Sequence, residues 1–187
     1  MKILRVDMSN LETRFEELPK DLTAVGGRGL SAKILTKEVP PKTDPLSTEA
    51  RLVIAGGPLA GTMAPSCGRI SVGGKSPLTM GIKEANAGGP TAQKLDKLGI
   101  RAIVVEGTPK GGGLYLLVIN KDGVSLKDAA PYKGMKTYAL VEVLKEQGEG
   151  AAVISIGPAG ERRSKAASVA FTDKDGHPSR HAGRGGM

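Results

Sequence analysis

A phrase that recurs a hundred residues on constrains this chain most. "VIAGGPLAG" begins at Val53 and "VISIGPAG" begins at Val153. Each runs Val-Ile, two residues, Gly-Pro and then a further Gly, and the strand-like content on either side of each is similar. β-branched residues followed by Gly-Pro mark a buried strand running into a tight turn. Two readings follow. The chain consists of two similar β-rich halves related by a pseudo-two-fold axis, or Val-Ile-x-x-Gly-Pro is a common way of ending a buried strand.

The rest of the chain supplies elements for such halves. Residues 2–8 and 12–17 alternate as two strands about a Ser-Asn turn, and Leu30, Ile34 and Leu35 lie at helical spacing within 29–38. "PPKTDPLSTEA" reads as a loop, and 51–57, 68–74 and 101–107 as buried strands. Pro90 and Gly99 bracket a short helix with Ala92, Leu95 and Leu98 on one face. A hairpin turns at Lys121-Asp122-Gly123, and an amphipathic helix spans 135–147 and stops at Gly148. "AAVISIGPAG" and "SKAASVAFTD" read as the last strands.

With 187 residues, 39% of them hydrophobic, the chain is long enough for one domain with a real core. Three Tyr, two Phe and no Trp leave that core to Val, Ile, Leu and Ala. The single cysteine, Cys67, excludes an internal disulfide and a cysteine-held metal or iron–sulfur site. No stretch approaches the roughly 20 apolar residues of a membrane span, and the N-terminus lacks the apolar region of a signal peptide. No membrane partner and a cytoplasmic location are the expectation. The net charge of +8 suits a basic surface, an acidic protein partner or a polyphosphorylated ligand. Basic residues are not interleaved with aromatics, so nucleic acid is not expected as a partner.

Three glycine-rich stretches could hold an anion. In "GGPLAGTMAPSCGRISVGGKSPLT" small residues surround Arg69, with Lys75 further on. Glycine lets a ligand approach the backbone and arginine offers a forked contact to phosphate. The alternative is a tight strand connection; the spacing fits neither a P-loop nor a dinucleotide fingerprint. In "EANAGGPTAQKL", Asn86, Ala87, Gly88 and Gly89 precede a helix, where free amides favour an anion; Asn86 is either a donor to a hard cation such as Mg²⁺ or a simple helix cap. In the tail, His177 and His181 are four apart, but Gly176, Pro178 and Gly183 argue against a helix and so against a His–metal pair. Arg180 and Arg184 beside glycines read better as phosphate contacts. Cys67, two residues from Arg69, reads as a small structural residue.

Taken in order, "GGRGL", "GPLAGTMAPSCGR", "KSPLT", "ANAGG", "IVVEG", "IGPAGE" and "HAGRGG" closely resemble the N-terminal domain of the aldehyde ferredoxin oxidoreductase family, over essentially the whole chain. The resemblance implies an α+β fold of two β-sheets related by a pseudo-two-fold, with a few short helices, on which a bis-pterin cofactor lies. That cofactor carries tungsten, sometimes molybdenum, and its phosphates are bridged by Mg²⁺. The implied function is oxidation of aldehydes to carboxylic acids with ferredoxin as electron acceptor. The implied cofactor contacts are Arg69, Asn86, Ala87, Gly88, Gly89, Ala182, Gly183 and Arg184, with the carbonyls of Asn86 and Ala182 on Mg²⁺. The family's [4Fe-4S] cysteines lie in later helical domains, absent from residues 1–187. The expectation is therefore a cofactor-base domain, inactive by itself and completed by C-terminal domains in the same chain or in a separate one. The competing expectation is a non-catalytic remnant or split-enzyme subunit that binds the pterin or assists assembly.

Overall fold

The computed structural model describes every residue except Gln147, Glu149, Gly185 and Met187. The end of the helix expected to reach 147 and the Gly185 of the tail lie outside the described residues.

The chain opens with a hairpin of β1 (Lys2–Asp7) and β2 (Glu12–Glu17), a 3₁₀ turn at Lys20–Leu22, and helix α1 (Gly27–Glu38). Three consecutive antiparallel strands follow: β3 (Arg51–Gly56), β4 (Ile70–Lys75) and β5 (Ile82–Ala87). Helix α2 (Thr91–Lys97) then leads into β6 (Ile100–Glu106). β6 lies parallel to β1 and antiparallel to β3, closing a six-stranded sheet in the order β2-β1-β6-β3-β4-β5.

The second half repeats the order hairpin, 3₁₀ turn, helix and three strands, without counterparts of α2 and β6 among the described residues. The β7–β8 hairpin (Tyr115–Asn120, Gly123–Asp128) is followed by a 3₁₀ turn at Ala130–Tyr132, helix α3 (Thr137–Glu146), and strands β9 (Ile154–Ser155), β10 (Val169–Phe171) and β11 (Arg180–Ala182). A short helix α4 (Gly157–Glu161) sits between β9 and β10. β9, β10 and β11 form one small antiparallel sheet, and β7 and β8 form another.

The registers of the two halves coincide. Ile54 pairs with Val72 and Ala55 with Ser71 in the first half; Ile154 pairs with Phe171 and Ser155 with Ala170 in the second. The two Val-Ile-x-x-Gly-Pro phrases therefore occupy the same place in two copies of one unit. One strand further, Asn86 pairs with Ser71 and Ala87 with Ile70, as His181 pairs with Ala170 and Ala182 with Val169.

Both halves bury apolar side chains in one central core. Leu4, Val6, Ile54, Ile70 and Val72 enter it from the first half, and Val169, Phe171 and Ala182 from the second. Each half also has its own cluster under its helix. Ile3, Leu22, Leu30, Ile34 and Val53 pack beneath α1; Leu116, Tyr132, Leu140, Leu144 and Val153 pack beneath α3. Aliphatic burial of this kind supplies most of the driving force for folding, and scarcity of aromatics is no obstacle to it.

Three elements differ from the sequence expectation. "IKEANA" forms β5, although its polar residues hide the strand; it is an edge strand whose Ile82 is exposed. "IGPAG" was expected to continue a strand, but only Ile154–Ser155 is extended. Gly157 takes a positive φ of 60°, and Pro158 fits the first turn of α4. The tail, expected as loop, pairs through Arg180–Ala182 with β10.

Candidate functional site

β5 and β11 are the edge strands of their sheets, and a cleft of about 480 Å³ lies where their ends come together. It is lined by Arg69, Asn86, Ala87, Gly88 and Gly89 from the first half and by Ser179, Arg180 and His181 from the second. A smaller hollow of about 290 Å³ adjoins it, sharing Gly89 and Arg180 and adding Pro90, Gln93, Asp173 and Lys174. The larger cleft has two guanidinium groups, an imidazole, an amide, a hydroxyl and no carboxylate on its walls. Such a lining attracts an anion.

The backbone in this region is built on glycine. Gly89 has φ +115°, a conformation side chains rarely adopt, and a Cβ there would run into the carbonyl of Thr172. A Cβ on Gly183 would meet the Cβ of Ser168 at 2.8 Å. Gly88 is different: its missing Cβ would stand 4.0 Å from Cδ of Arg180, so the position is roomy and its bareness opens the cleft floor.

The second-half wall is held by Asp173. Its Oδ1 accepts the amides of Asp175 at 3.0 Å and His177 at 2.9 Å, and its Oδ2 accepts the Ser179 hydroxyl at 2.5 Å. The Ser179 hydroxyl first, then the His177 amide, draw the Asp173 carboxyl down to about 2. The carboxylate thus ties the turn that leads into β11 and spends its acceptors there, while Arg180 has no carboxylate within salt-bridge distance among the described residues. His181 Nδ1 lies 3.3 Å from the Ser168 hydroxyl.

Of the eight cofactor contacts that the resemblance implies, five line this cleft, and so does Arg180, read from the sequence as a phosphate contact. Ala182 is fully buried, in the central core, and does not line the cleft. Gly183 and the exposed Arg184, at φ +62°, follow it beyond the strand end and do not line the cleft. Lys75 is at the other end of β4 from Arg69, buried, with its ammonium on the Pro41 carbonyl; it belongs to the scaffold. A six-residue strand separates its ends by about 17–20 Å, which excludes a shared ligand contact. Cys67 sits 4.0 Å by its sulfur from the Thr62 carbonyl and does not line the cleft. Among the described residues no group of three or more His, Cys, Asp or Glu could hold a metal, so His177 and His181 form no such site. Ser179 was missed in the sequence; only its place two residues after His177, in the turn tied by Asp173, would have marked it. No helix among the described residues is long and apolar enough to cross a membrane.

Comparison with known proteins agrees with this architecture. The family model described as aldehyde ferredoxin oxidoreductase, N-terminal domain, matches residues 3–187. The tungsten-containing aldehyde ferredoxin oxidoreductase of Pyrococcus furiosus is 40% identical over 190 residues, a match that takes in 100% of this chain and 30% of that protein. The corresponding protein of Thermococcus kodakarensis is 41% identical over 192 residues, with the same coverage. The aliphatic sulfonate oxidoreductase WOR-like subunit of Pyrococcus furiosus is 32% identical over 90% of this chain and 29% of its own length. Among solved structures, the active-site complex BamBC of benzoyl coenzyme A reductase with 1,5-dienoyl-CoA superposes with a TM-score of 0.89. It is 34% identical and covers 99% of this chain and 28% of its own. The chain thus spans about 30% of the length of the curated relatives it matches. With the same fold, the same length of match and these identities, it belongs to the aldehyde ferredoxin oxidoreductase family, as that family's N-terminal domain.

Proposed function

We propose that this domain is the base on which a tungsten-bearing bis-pterin cofactor rests, in an oxidoreductase that converts aldehydes to carboxylic acids with ferredoxin as electron acceptor. The observation that carries the reading is the cationic, carboxylate-free cleft at the seam of the two halves. Its donor set suits phosphate. Arg69 and Arg180 supply forked N–H groups from opposite walls, Ser179 and Asn86 supply neutral donors, and the bare Gly88 admits a bulky group. The cofactor, when bound, supplies the redox chemistry.

The residues of this chain do the holding. Arg69 and Arg180 neutralise phosphate charge, and Gly88 and Gly89 give it backbone access. The carbonyls of Asn86 and Ala182 are the Mg²⁺ donors, and Gly183 and Arg184 stand next to the second of them. The [4Fe-4S] cluster and the ferredoxin contact belong to further domains. By itself the 187-residue chain oxidises no aldehyde. The relatives that act on an aliphatic sulfonate or carry a dienoyl-CoA favour a second statement: the base is common to several chemistries, and substrate choice lies elsewhere.

Titration of the chain with inorganic pyrophosphate and Mg²⁺ in a calorimeter tests the reading. Saturable binding is expected, weakened about tenfold by Arg69→Ala and by Arg180→Ala, about 1.4 kcal/mol each, and unchanged by Lys121→Ala in the remote hairpin turn. Equal affinity in all four proteins would sink the proposal.

A further inference from the structure

Arg28, in the glycine-rich phrase "GGRGL", does not line the anion cleft. It stands in the first turn of α1 with 73% of its side chain exposed, and its Nε donates to Oε2 of Glu84 at 2.8 Å. Glu84 is the one carboxylate on β5, two residues before Asn86. Alternation along a strand puts these two side chains on the same face, about 7 Å apart. The register agrees: Asn86 pairs with Ser71 and Glu84 with Gly73.

α1 reaches β5 because β4 is bare beneath it. A Cβ on Gly73 would meet that of Ser31 at 2.9 Å. Ser31 Oγ lies 3.2 Å from that of the fully buried Ser71, whose hydroxyl donates to Oε1 of Glu84 at 2.8 Å. Lys83 Nζ donates to the Glu84 carbonyl at 2.7 Å and fixes the main chain at the same residue. Both carboxylate oxygens are thus engaged, and the Glu84 side chain is only 11% exposed.

An ion pair with one exposed partner adds little to stability. Its effect here is on where a charge sits. Without Arg28, a mostly buried carboxylate keeps one neutral donor, and the cost of burying an unpaired charge drives it toward water. β5 is the edge of its sheet, and its last residues are a wall of the cleft. We propose that Arg28 is a specificity-determining residue for the cleft: it fastens Glu84 against Ser71 and keeps the only carboxylate of β5 away from a bound anion. The inference rests on the anion-binding reading of the cleft.

The test is a double-mutant cycle of Arg28→Ala and Glu84→Gln, read as pyrophosphate–Mg²⁺ affinity in a calorimeter. Arg28→Ala is expected to weaken binding about fivefold, the effect of a freed charge near the anion. Glu84→Gln and the double variant are expected to bind like the unaltered chain. Rescue in a protein that still lacks Arg28 separates this role from a loss of fold. The proposal is overturned if Arg28→Ala has no effect, or if it weakens binding equally with and without E84Q, since the anion would then feel Arg28 itself. Pyrophosphate that binds none of the four proteins refutes the anion-binding reading alone. The position of the charge is then read from relaxation of the Ala87 and Gly88 amides by cationic and anionic nitroxides. Arg28→Ala is expected to raise the cationic-to-anionic ratio about twofold, and only where Glu84 is present; an unchanged ratio overturns the proposal.

Discussion

Leu30 and Leu140 are the fourth residues of α1 and α3, and each packs on the sheet of its own half. Leu30 is completely buried, but Leu140 is not. The difference lies less in the helices than in what is beneath them. Under α1 the sheet is continuous, because β6 joins the hairpin to the three-strand unit; under α3, among the described residues, β7–β8 and β9–β11 are separate sheets. Burial is a property of the assembled sheet rather than of the helix sequence.

The largest expected effect compares these two leucines. Leu30→Ala is expected to cost about 3 kcal/mol and Leu140→Ala about 1 kcal/mol, read from urea midpoints, because cavity cost follows how completely the site is enclosed. Equal losses would mean that the second half is as tightly packed as the first, and the contrast would fail.

A second difference is electrostatic. Arg5 is 9% exposed and forks onto Glu38 at 2.6 Å by both terminal nitrogens, with Glu16 at 2.9 Å from its Nε. Its counterpart in β7 is the apolar Val118. The hydrogen bond to Glu38 holds the Arg5 guanidinium protonated more firmly than usual, and the same bond, against burial, holds Glu38 below the ordinary carboxylate range. Because Glu38 is depressed in the folded state, the stability it contributes is fully present above its unfolded value near 4.5 and is lost as the pH falls through the lower folded one. Arg5→Met is expected to cost about 2 kcal/mol at neutral pH, since it strands a half-buried carboxylate, and to flatten the acid limb of stability below pH 4.5. A variant with an unchanged acid limb would show that the pair is not the source of acid sensitivity.

The smallest effect compares the two hairpin turns. Asp7 Oδ1 accepts the amides of Ser9 and Asn10, and Asn120 Oδ1 accepts those of Asp122 and Gly123. The Asn10 side chain, then the Ser9 amide, lower the Asp7 carboxyl below 3.8. The first turn therefore loosens as pH falls through that depressed value, and the second, held by an amide, does not. Amide exchange at Ser9 and Asn10 should accelerate relative to Asp122 and Gly123 between about pH 4 and 2, after correction for intrinsic rates. Replacing Asp7 with Asn is expected to remove the difference.

Much of this architecture was legible because the buried strands are apolar on both faces and the helices are periodic; Val53–Ala55 and Ile100–Val105 declare themselves. β5 did not, because an edge strand beside a polar cleft can carry Lys83, Glu84 and Asn86 at little cost. β11 did not, because its three residues are placed by pairing with β10 rather than by their own pattern. The cleft was legible as scattered glycines and arginines, but not as a meeting of halves. That juxtaposition comes from tertiary packing between positions nearly a hundred residues apart. The same packing shows why Lys75, close to Arg69 in sequence, belongs to a different end of the molecule.

The seat at the seam has a thermodynamic consequence. Arg69 and Arg180 approach one cleft from different copies of the repeat, so an anion bound to both acts as a clasp between them. Occupancy and cohesion then become linked functions. A ligand at a hundred times its dissociation constant adds about 2.7 kcal/mol to the folded state. Any agent that loosens the seam must in turn weaken the grip on the ligand by the same factor.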